Sequence, residues 1–194
     1  MKEYYHRRAP EYDDWYLGRT YGDAEARGFL AERSRLERTI AYLPAARTLD
    51  VACGTGFLTR HLPGEIVGLD QSEAMLEIAR RQAPNAEYVL GDALPLPFAD
   101  DSFERVFTGH FYGHLEPPER AAFLAEARRV APRLVVVDAA RRPNHEPEEW
   151  QQRAVSDGTT WPVFKRFFRP EQLMDELGGS DVLFAGDWFV VVSA

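Results

Sequence analysis

Thr48–Thr59 reads TLDVACGTGFLT, and this stretch decides the fold. A short run typical of a strand leads into a loop of small residues, which predicts a strand at Arg47–Ala52 followed by a helix at Phe57–Leu62. Because Gly54 and Gly56 have no side chain, a ligand can lie directly against the backbone of this loop. The free N–H groups at the start of the helix would favour an anionic group on that ligand, a phosphate or a carboxylate.

The alternation of short apolar runs with helical segments continues along the chain. The spacing predicts further strands at Ile66–Asp70, Tyr88–Leu90, Phe103–Thr108 and Leu134–Asp138. It predicts helices at Asp23–Tyr42, Ser72–Gln82, Glu119–Val130 and Pro170–Leu177, and a closing antiparallel hairpin of Asp181–Ala185 with Trp188–Ser193. This rhythm is typical of an α/β fold whose parallel sheet is covered by helices on both faces.

The length of 194 residues predicts a single domain. We divide the chain into an N-terminal lid or helix region at 1–44, a cofactor-binding core at 45–138, an insertion at 139–169, and a closing helix and hairpin at 170–194. The N-terminal aromatic residues are interpreted as a lid over the ligand or as a strap that packs the first helix: Tyr4, Tyr5, Tyr12, Trp15 and Tyr21. The aromatic insertion is interpreted as a substrate pocket or a dimer surface, with Trp150, Trp161, Phe164, Phe167 and Phe168.

Composition narrows the class of protein. The formal net charge of -8 argues against nucleic acid as a partner. A lone cysteine, Cys53, excludes an internal disulfide framework and a multi-cysteine metal site. The polar start of the chain lacks the apolar core of an ordinary secretory signal, and no run approaches the roughly 18 apolar residues of a membrane span. We therefore expect a soluble, cytoplasmic protein, a monomer or homodimer, with no bound metal and no membrane partner.

Two carboxylates flank the glycine loop, Asp50 before it and Asp70 at the end of the next strand. In doubly wound sheets ligands bind at the carboxyl ends of the strands, where Asp70 can accept hydrogen bonds from ribose hydroxyls. A dinucleotide fingerprint needs a third glycine where this sequence has Thr59. Asp50 would repel a pyrophosphate and suits an ammonium group, which favours S-adenosylmethionine (SAM) over a dinucleotide.

Several motifs follow one another in a fixed order: Leu49–Gly56, Gly68–Leu76, Gly91–Ala93, Leu94–Phe103 and His114–Arg120. Together they resemble the class I SAM-dependent methyltransferases, in particular their small ubiquinone-biosynthesis-like group, methyltransferase type 11. The resemblance implies a three-layer, doubly wound, Rossmann-like sheet of seven mostly parallel strands with an antiparallel last strand. It also implies transfer of the SAM methyl group to a small-molecule acceptor, with S-adenosylhomocysteine (SAH) as the product.

The resemblance also places the parts of the cofactor. It assigns the methionine part of SAM to Asp50, Ala52, Cys53, Gly54, Thr55 and Gly56. It assigns the ribose to Asp70, and the adenine to Gln71, Met75, Asp92 and Ala93. The one departure from the family pattern is Ala52, where the family often has glycine.

The sequence signals for the acceptor side of the site are less specific than those for the cofactor. His110, Tyr112 and His114 follow the strand predicted at Phe103–Thr108 and are candidate catalytic residues, because an acceptor that must lose a proton needs a base. The spacing of the two histidines also occurs in zinc sites, but no cysteine accompanies them. Cys53, close to the predicted helix start, could be a stabilised thiolate, but it has no base beside it.

Three functions stay open at this point. The first is a methyltransferase that acts on a small, partly apolar molecule, as the aromatic insertion suggests. The second is a SAM-binding protein without transfer activity, serving as a sensor or a partner subunit. The third is an NAD-dependent oxidoreductase, against which Thr59 and Asp50 both argue.

Overall fold

The computed structural model describes residues 1–143 and 145–194, so residue 144 of the predicted insertion lies outside the described residues. The strands are β1 (Thr48–Val51), β2 (Ile66–Asp70), β3 (Glu87–Leu90), β4 (Arg105–Gly109), β5 (Leu134–Ala139), β6 (Glu148–Ala154), β7 (Thr160–Arg166), β8 (Asp181–Ala185) and β9 (Phe189–Ser193). The α-helices are α1 (Lys2–Arg8), α2 (Asp23–Ala41), α3 (Glu73–Gln82), α4 (Pro117–Val130) and α5 (Pro170–Leu177).

Seven of these strands form the main sheet, in the order β3-β2-β1-β4-β5-β9-β8. Strands β1 to β5 pair in parallel, and β9 runs antiparallel between β5 and β8. The predicted doubly wound sheet with an antiparallel last strand is therefore confirmed. Its order reverses between β1 and β4, and the carboxyl ends of these two strands open the crevice where such sheets bind ligands.

Apolar clusters on the two faces of the sheet give the three layers. Leu134 and Val136 of β5 belong to the cluster that packs with α4 and α5, whereas Val135 and Val137 belong to the cluster that packs with α2. Alternate residues of a strand point to opposite faces, so a continuous apolar run is buried on both sides. None of the helices in the described ranges has the length and apolarity needed to cross a membrane.

One predicted helix is wrong. Phe57–Leu62 contains only a single 3-10 turn, Thr59–His61. Gly56 adopts φ +77°, in the left-handed region, so the chain leaves the right-handed helical path just before Phe57. The glycine loop therefore does not lead into the helix N-terminus that was expected to bind an anion. The other predicted helices and strands lie within about two residues of the observed bounds.

The insertion contains a two-stranded antiparallel sheet that hydrophobic periodicity did not predict. Strands β6 and β7 pair from Glu148 with Arg166 to Ala154 with Thr160. The β6 sequence EEWQQRA is mostly polar and largely exposed, so it carries no apolar alternation. On β7, Val163 and Lys165 are buried, which turns one face of this hairpin towards the main sheet.

A buried carboxylate holds the end of the sheet to α2. Glu32 is 7% exposed and accepts hydrogen bonds from the backbone N–H groups of Asp187, Trp188 and Phe189 at 2.8–3.0 Å. These donors belong to the turn that joins β8 to β9 and to the first residue of β9. Without the carboxylate, they would lose their acceptor in a mostly buried place.

We expect Glu32→Ala to lower the free energy of unfolding by about 3 kcal/mol, because up to three backbone donors lose their partner. The measurement is urea unfolding followed by circular dichroism. Glu77→Ala, an exposed position inside α3, is the matched helical control and should change stability by less than about 0.5 kcal/mol. A loss in Glu32→Ala no larger than in this control would contradict the assignment.

Candidate functional site

The loop after β1 is built from residues with positive φ. Ala52 and Gly54 both have φ +57°, a conformation that costs a residue with a Cβ more than glycine. This explains why a family pattern would favour glycine at position 52. A Cβ on Gly56 would lie 3.1 Å from the Cα of Ala79, so this glycine allows the loop to pack on α3.

Asp70 fixes the position of this loop. One carboxylate oxygen, Oδ2, accepts the backbone N–H of Gly54 at 2.9 Å, and Oδ1 accepts the backbone N–H of Ser72 at 2.9 Å. Burial raises the pKa of Asp70, and these backbone N–H groups oppose the increase. Each oxygen has a second lone pair, so the carboxylate can accept hydrogen bonds from a ligand as well.

Asp50 is 2% exposed and accepts a hydrogen bond from the Thr59 hydroxyl at 2.6 Å. Burial raises its pKa to about 7, the Thr59 hydroxyl lowers it, and the nearby Asp70 charge raises it. Thr59 therefore has a defined role at the position where a dinucleotide fingerprint has its third glycine. A hydroxyl at that position orients the acid that precedes the loop.

A cavity of about 340 Å³ opens at the carboxyl ends of β1, β2 and β4. It is lined by nine residues that the sequence nominated, namely Ala52, Gly54, Asp70, Gln71, Met75, Asp92, Ala93, His110 and His114. A smaller second cavity shares Ala52 with the first and is lined by three more nominated residues, Asp50, Cys53 and Thr55. The structure thus brings the candidate cofactor residues to one edge of the sheet.

Two residues nominated from the sequence, Cys53 and Thr55, are characterised by burial and by a hydrogen bond to the N-terminal segment, respectively. Cys53 is not the stabilised thiolate considered from sequence, since burial and the charges of Asp50 and Asp70 raise the pKa of its thiol well above the ordinary value. The Thr55 hydroxyl donates to Asp13 at 2.5 Å, which attaches the N-terminal segment to the glycine loop.

His114 presents a defined ring nitrogen to the cavity. Its Nδ1 lies 2.6 Å from the carbonyl oxygen of Phe164 on β7, and a carbonyl oxygen can only accept, so Nδ1 carries the proton. Burial lowers the pKa of His114 well below the ordinary value, with the charges of Lys165 and Arg153 adding to this effect. The ring is therefore neutral, and Nε2 has a free lone pair that can accept a hydrogen bond.

His110 lies deeper, with φ +56° and 9% exposure. Its ring packs edge-on against Trp15, with centroids 4.9 Å apart, and its Nδ1 lies 3.9 Å from a carboxylate oxygen of Asp138. Burial lowers the pKa of His110 to about 3. Its Nε2 is buried and finds no hydrogen-bond partner within the described residues.

Beneath the two histidines lies a buried ion pair that the sequence analysis missed. The Nζ atom of Lys165 donates to Asp138 Oδ1 at 2.7 Å, and Asp138 Oδ2 accepts the backbone N–H of Gly113 at 2.7 Å. The pair ties β7 to β5 and to the loop that carries both histidines. A sequence signal did exist, because Lys165 is one of only two lysines in the chain.

Tyr112 does not reach the cavity, and we withdraw it as a candidate base. It is fully buried, and its hydroxyl donates to Glu176 at 2.8 Å. Glu176 also pairs with Arg120 at 3.1 Å and Arg166 at 2.8 Å. Burial and the Glu176 carboxylate raise the pKa of Tyr112, so this cluster has a structural role in joining α4, α5 and β7.

The remaining walls are apolar or acidic and come from three parts of the chain. Met1, Tyr5 and Tyr12 line the cavity from the N-terminal segment, and Trp150, Val163 and Phe164 line it from the β6–β7 hairpin. Phe111, Leu115, Glu116 and Glu119 line it from the loop after β4 and the start of α4. Of these, only Tyr5, Tyr12, Trp150 and Phe164 were singled out in the sequence, as parts of aromatic segments.

The chain is similar to known methyltransferases in sequence and in fold. The sequence profile of a family described as "Methyltransferase domain" matches residues 48–132. A demethylmenaquinone methyltransferase of Thermotoga maritima is 38% identical over 114 residues, which are 55% of this chain and 49% of that protein. The corresponding protein of Renibacterium salmoninarum is 37% identical over 94 residues, which are 47% of this chain and 39% of that protein. The chain spans about half the length of these curated relatives, or less.

Similar solved structures cover nearly the whole chain. A DhpI–SAH complex is 28% identical with a TM-score of 0.71, covering 98% of this chain and 92% of the DhpI chain. These matches support a class I SAM-dependent methyltransferase. The Pyrococcus horikoshii protein PH0226, 23% identical with a TM-score of 0.65 over 94% of this chain and 97% of that one, shares the fold. The family expected from the sequence motifs is thereby confirmed.

Asp138→Asn should lower the free energy of unfolding by about 3–5 kcal/mol, because it leaves the Lys165 ammonium buried without its counter-charge. Urea unfolding measures the change. The double variant Asp138→Asn/Lys165→Met removes both charges and should recover most of the loss. If the single variant is as stable as the parent, the ion pair does not hold the hairpin as described.

Proposed function

We propose that this chain transfers the methyl group of SAM to a small-molecule acceptor and releases SAH. The observation that carries the proposal is the placement of Asp70. Its buried carboxylate orders the glycine loop while facing a cavity whose other walls include Asp92, Ala93 and two neutral histidines. A cavity of about 340 Å³ is in the range of small-molecule sites.

The residues present fit SAM. Asp70 has lone pairs for the ribose hydroxyls, and Gln71 and Met75 lie beside it for the adenine. Asp92 is exposed at the cavity wall and can accept from the adenine amino group, next to the backbone of Ala93. Asp50 and the backbone of Ala52 to Gly56 would hold the methionine part.

When bound, SAM supplies a methyl group on a sulfonium, which is already a good leaving group. The protein therefore contributes mainly by positioning the acceptor and by excluding water. His114 orients an acceptor by accepting a hydrogen bond from it, because its Nε2 lone pair is free and its Nδ1 is held by Phe164. Tyr5 and Tyr12, which line the cavity from the N-terminal segment, limit the access of water.

Isothermal titration calorimetry tests the cofactor. SAM and SAH should bind the protein with roughly micromolar Kd, and NAD should not bind. Asp70→Asn should weaken SAM and SAH at least tenfold, because the neutral amide loses charge-assisted acceptance from the ribose. Asp187→Asn, at an exposed position between β8 and β9, is the control. Binding of NAD with silence towards SAM and SAH would overturn the proposal.

Transfer separates the enzyme from a SAM-binding sensor. Incubation with methyl-labelled SAM and a library of small acceptors should give label in a small-molecule product together with SAH. Label that stays on SAM across the library, although SAM binds, would favour the sensor.

The pKa of Asp50 predicts a pH dependence. Since the folded pKa of about 7 lies above the ordinary 3.8, the protein without ligand holds the Asp50 proton up to about pH 7. The stability due to this group is complete below the ordinary pKa and is lost as the pH rises through about 7. The affinity for SAM, whose ammonium favours the ionised acid, should rise about tenfold between pH 6 and 8. Calorimetry at pH 6, 7 and 8 measures it.

Asp50→Asn is the control for this assignment. The variant should bind SAM weakly at every pH, with a flat profile, and should be more stable than the parent at pH 8 in the absence of ligand. A steep profile that survives in Asp50→Asn would assign the pH dependence to another group.

A further inference from the structure

We infer that the acceptor meets this site through a hydrogen-bond donor, a hydroxyl or an amino group on an apolar body, and that carboxylate and phosphate-type acceptors are rejected. The inference rests on the proposed function, since it concerns the acceptor half of the same cavity. It is carried by the tautomer of His114 and by the charges of the cavity wall.

The geometry at His114 selects the partner of its free nitrogen. The proton on Nδ1 is committed to the Phe164 carbonyl oxygen at 2.6 Å, so Nε2 can only accept. A hydroxyl or amino group can donate to this lone pair. A carboxylate or phosphonate oxygen would instead bring its own lone pairs against it, and His114 is too poor a base in this environment to gain a second proton.

The charged side chains of the cavity wall are all acidic within the described part of the chain. Asp70 and Asp92 lie on the cofactor side, and Glu116 and Glu119 lie at the start of α4 on the acceptor side. The structure shows no ion-pair partner for Glu116 or Glu119 in residues 1–143 and 145–194. An anionic acceptor would lose hydration here and face like charges.

The two cationic side chains whose charges act on the histidines, Lys165 and Arg153, already have hydrogen-bond partners. The ammonium of Lys165 donates to Asp138 at 2.7 Å and is buried with it. The guanidinium of Arg153 donates to the side-chain oxygen of Gln151 at 3.1 and 2.8 Å. Neither cation is part of the cavity wall, so neither offers a direct counter-charge to an anion.

The rest of the acceptor side is apolar. Phe111, Leu115, Val163 and Phe164 form these walls, and Trp150, 59% exposed, lies at the edge. Such walls favour an aromatic or aliphatic body, which is stabilised by removal of its surface from water. On this side of the cavity, the acceptor therefore needs only one polar group, the donor that hydrogen-bonds to His114.

The test uses the full chain saturated with SAH and four probes that share one ring: phenol, benzylamine, benzoate and phenylphosphonate. Ligand-observed NMR titration gives the Kd of each probe. Phenol and benzylamine should bind at least tenfold more tightly than benzoate and phenylphosphonate. In His114→Leu the affinities for phenol and benzylamine should each fall at least threefold, because the acceptor lone pair is gone, while benzoate and phenylphosphonate should stay weak because the wall carboxylates remain. His61→Leu, which changes a histidine outside the cavity, should keep the parent preference.

The outcomes separate this inference from the proposed function. If SAH itself does not bind, the proposed function fails and the inference fails with it. If SAH binds but an anionic probe binds as tightly as phenol, the inference alone is overturned. It is also overturned if phenol and benzylamine do not bind, or if His114→Leu binds them as tightly as the parent does.

Discussion

The site depends on one buried carboxylate shared between two loops. Asp70 accepts N–H groups from Gly54 and from Ser72, so the loop after β1 and the start of α3 are set by the same side chain. Parallel pairing of β1 with β2 places both loops at one edge of the sheet, which makes this sharing geometrically possible. The Ser72 side chain then caps α3 through Met75, whose side chain faces the cavity. The cofactor half of the cavity follows from this arrangement.

The acceptor half is assembled from segments far apart in sequence. Tyr4 of α1 packs with Val155 and Val163 at the hairpin, and Arg7 pairs with Asp157 at 3.0 Å in the hairpin turn. Asp13 connects the same N-terminal segment to the glycine loop through Thr55. The N-terminal segment is therefore attached on both sides of the cavity.

The cofactor half of the cavity could be predicted from the sequence better than the acceptor half. The cofactor residues lie in short contiguous motifs, so strand ends, glycines and acids could be placed before the structure. The helix at Phe57–Leu62 failed because the φ of Gly56 is set by packing on Ala79, which no local pattern records. His114 meets Phe164 across 50 residues, and Asp138 meets Lys165 across 27, so these contacts had no local signal. Tyr112 was misassigned for the same reason.

The most direct test of the account is a crystal structure of the chain with SAH. We expect the ribose hydroxyls on the Asp70 carboxylate and the adenine between Met75 and Ala93. We expect the amino-acid end to lie towards Asp50, leaving His114 free beside the vacated methyl position. SAH bound elsewhere, or bound in this cavity without contacting Asp70, would contradict the account.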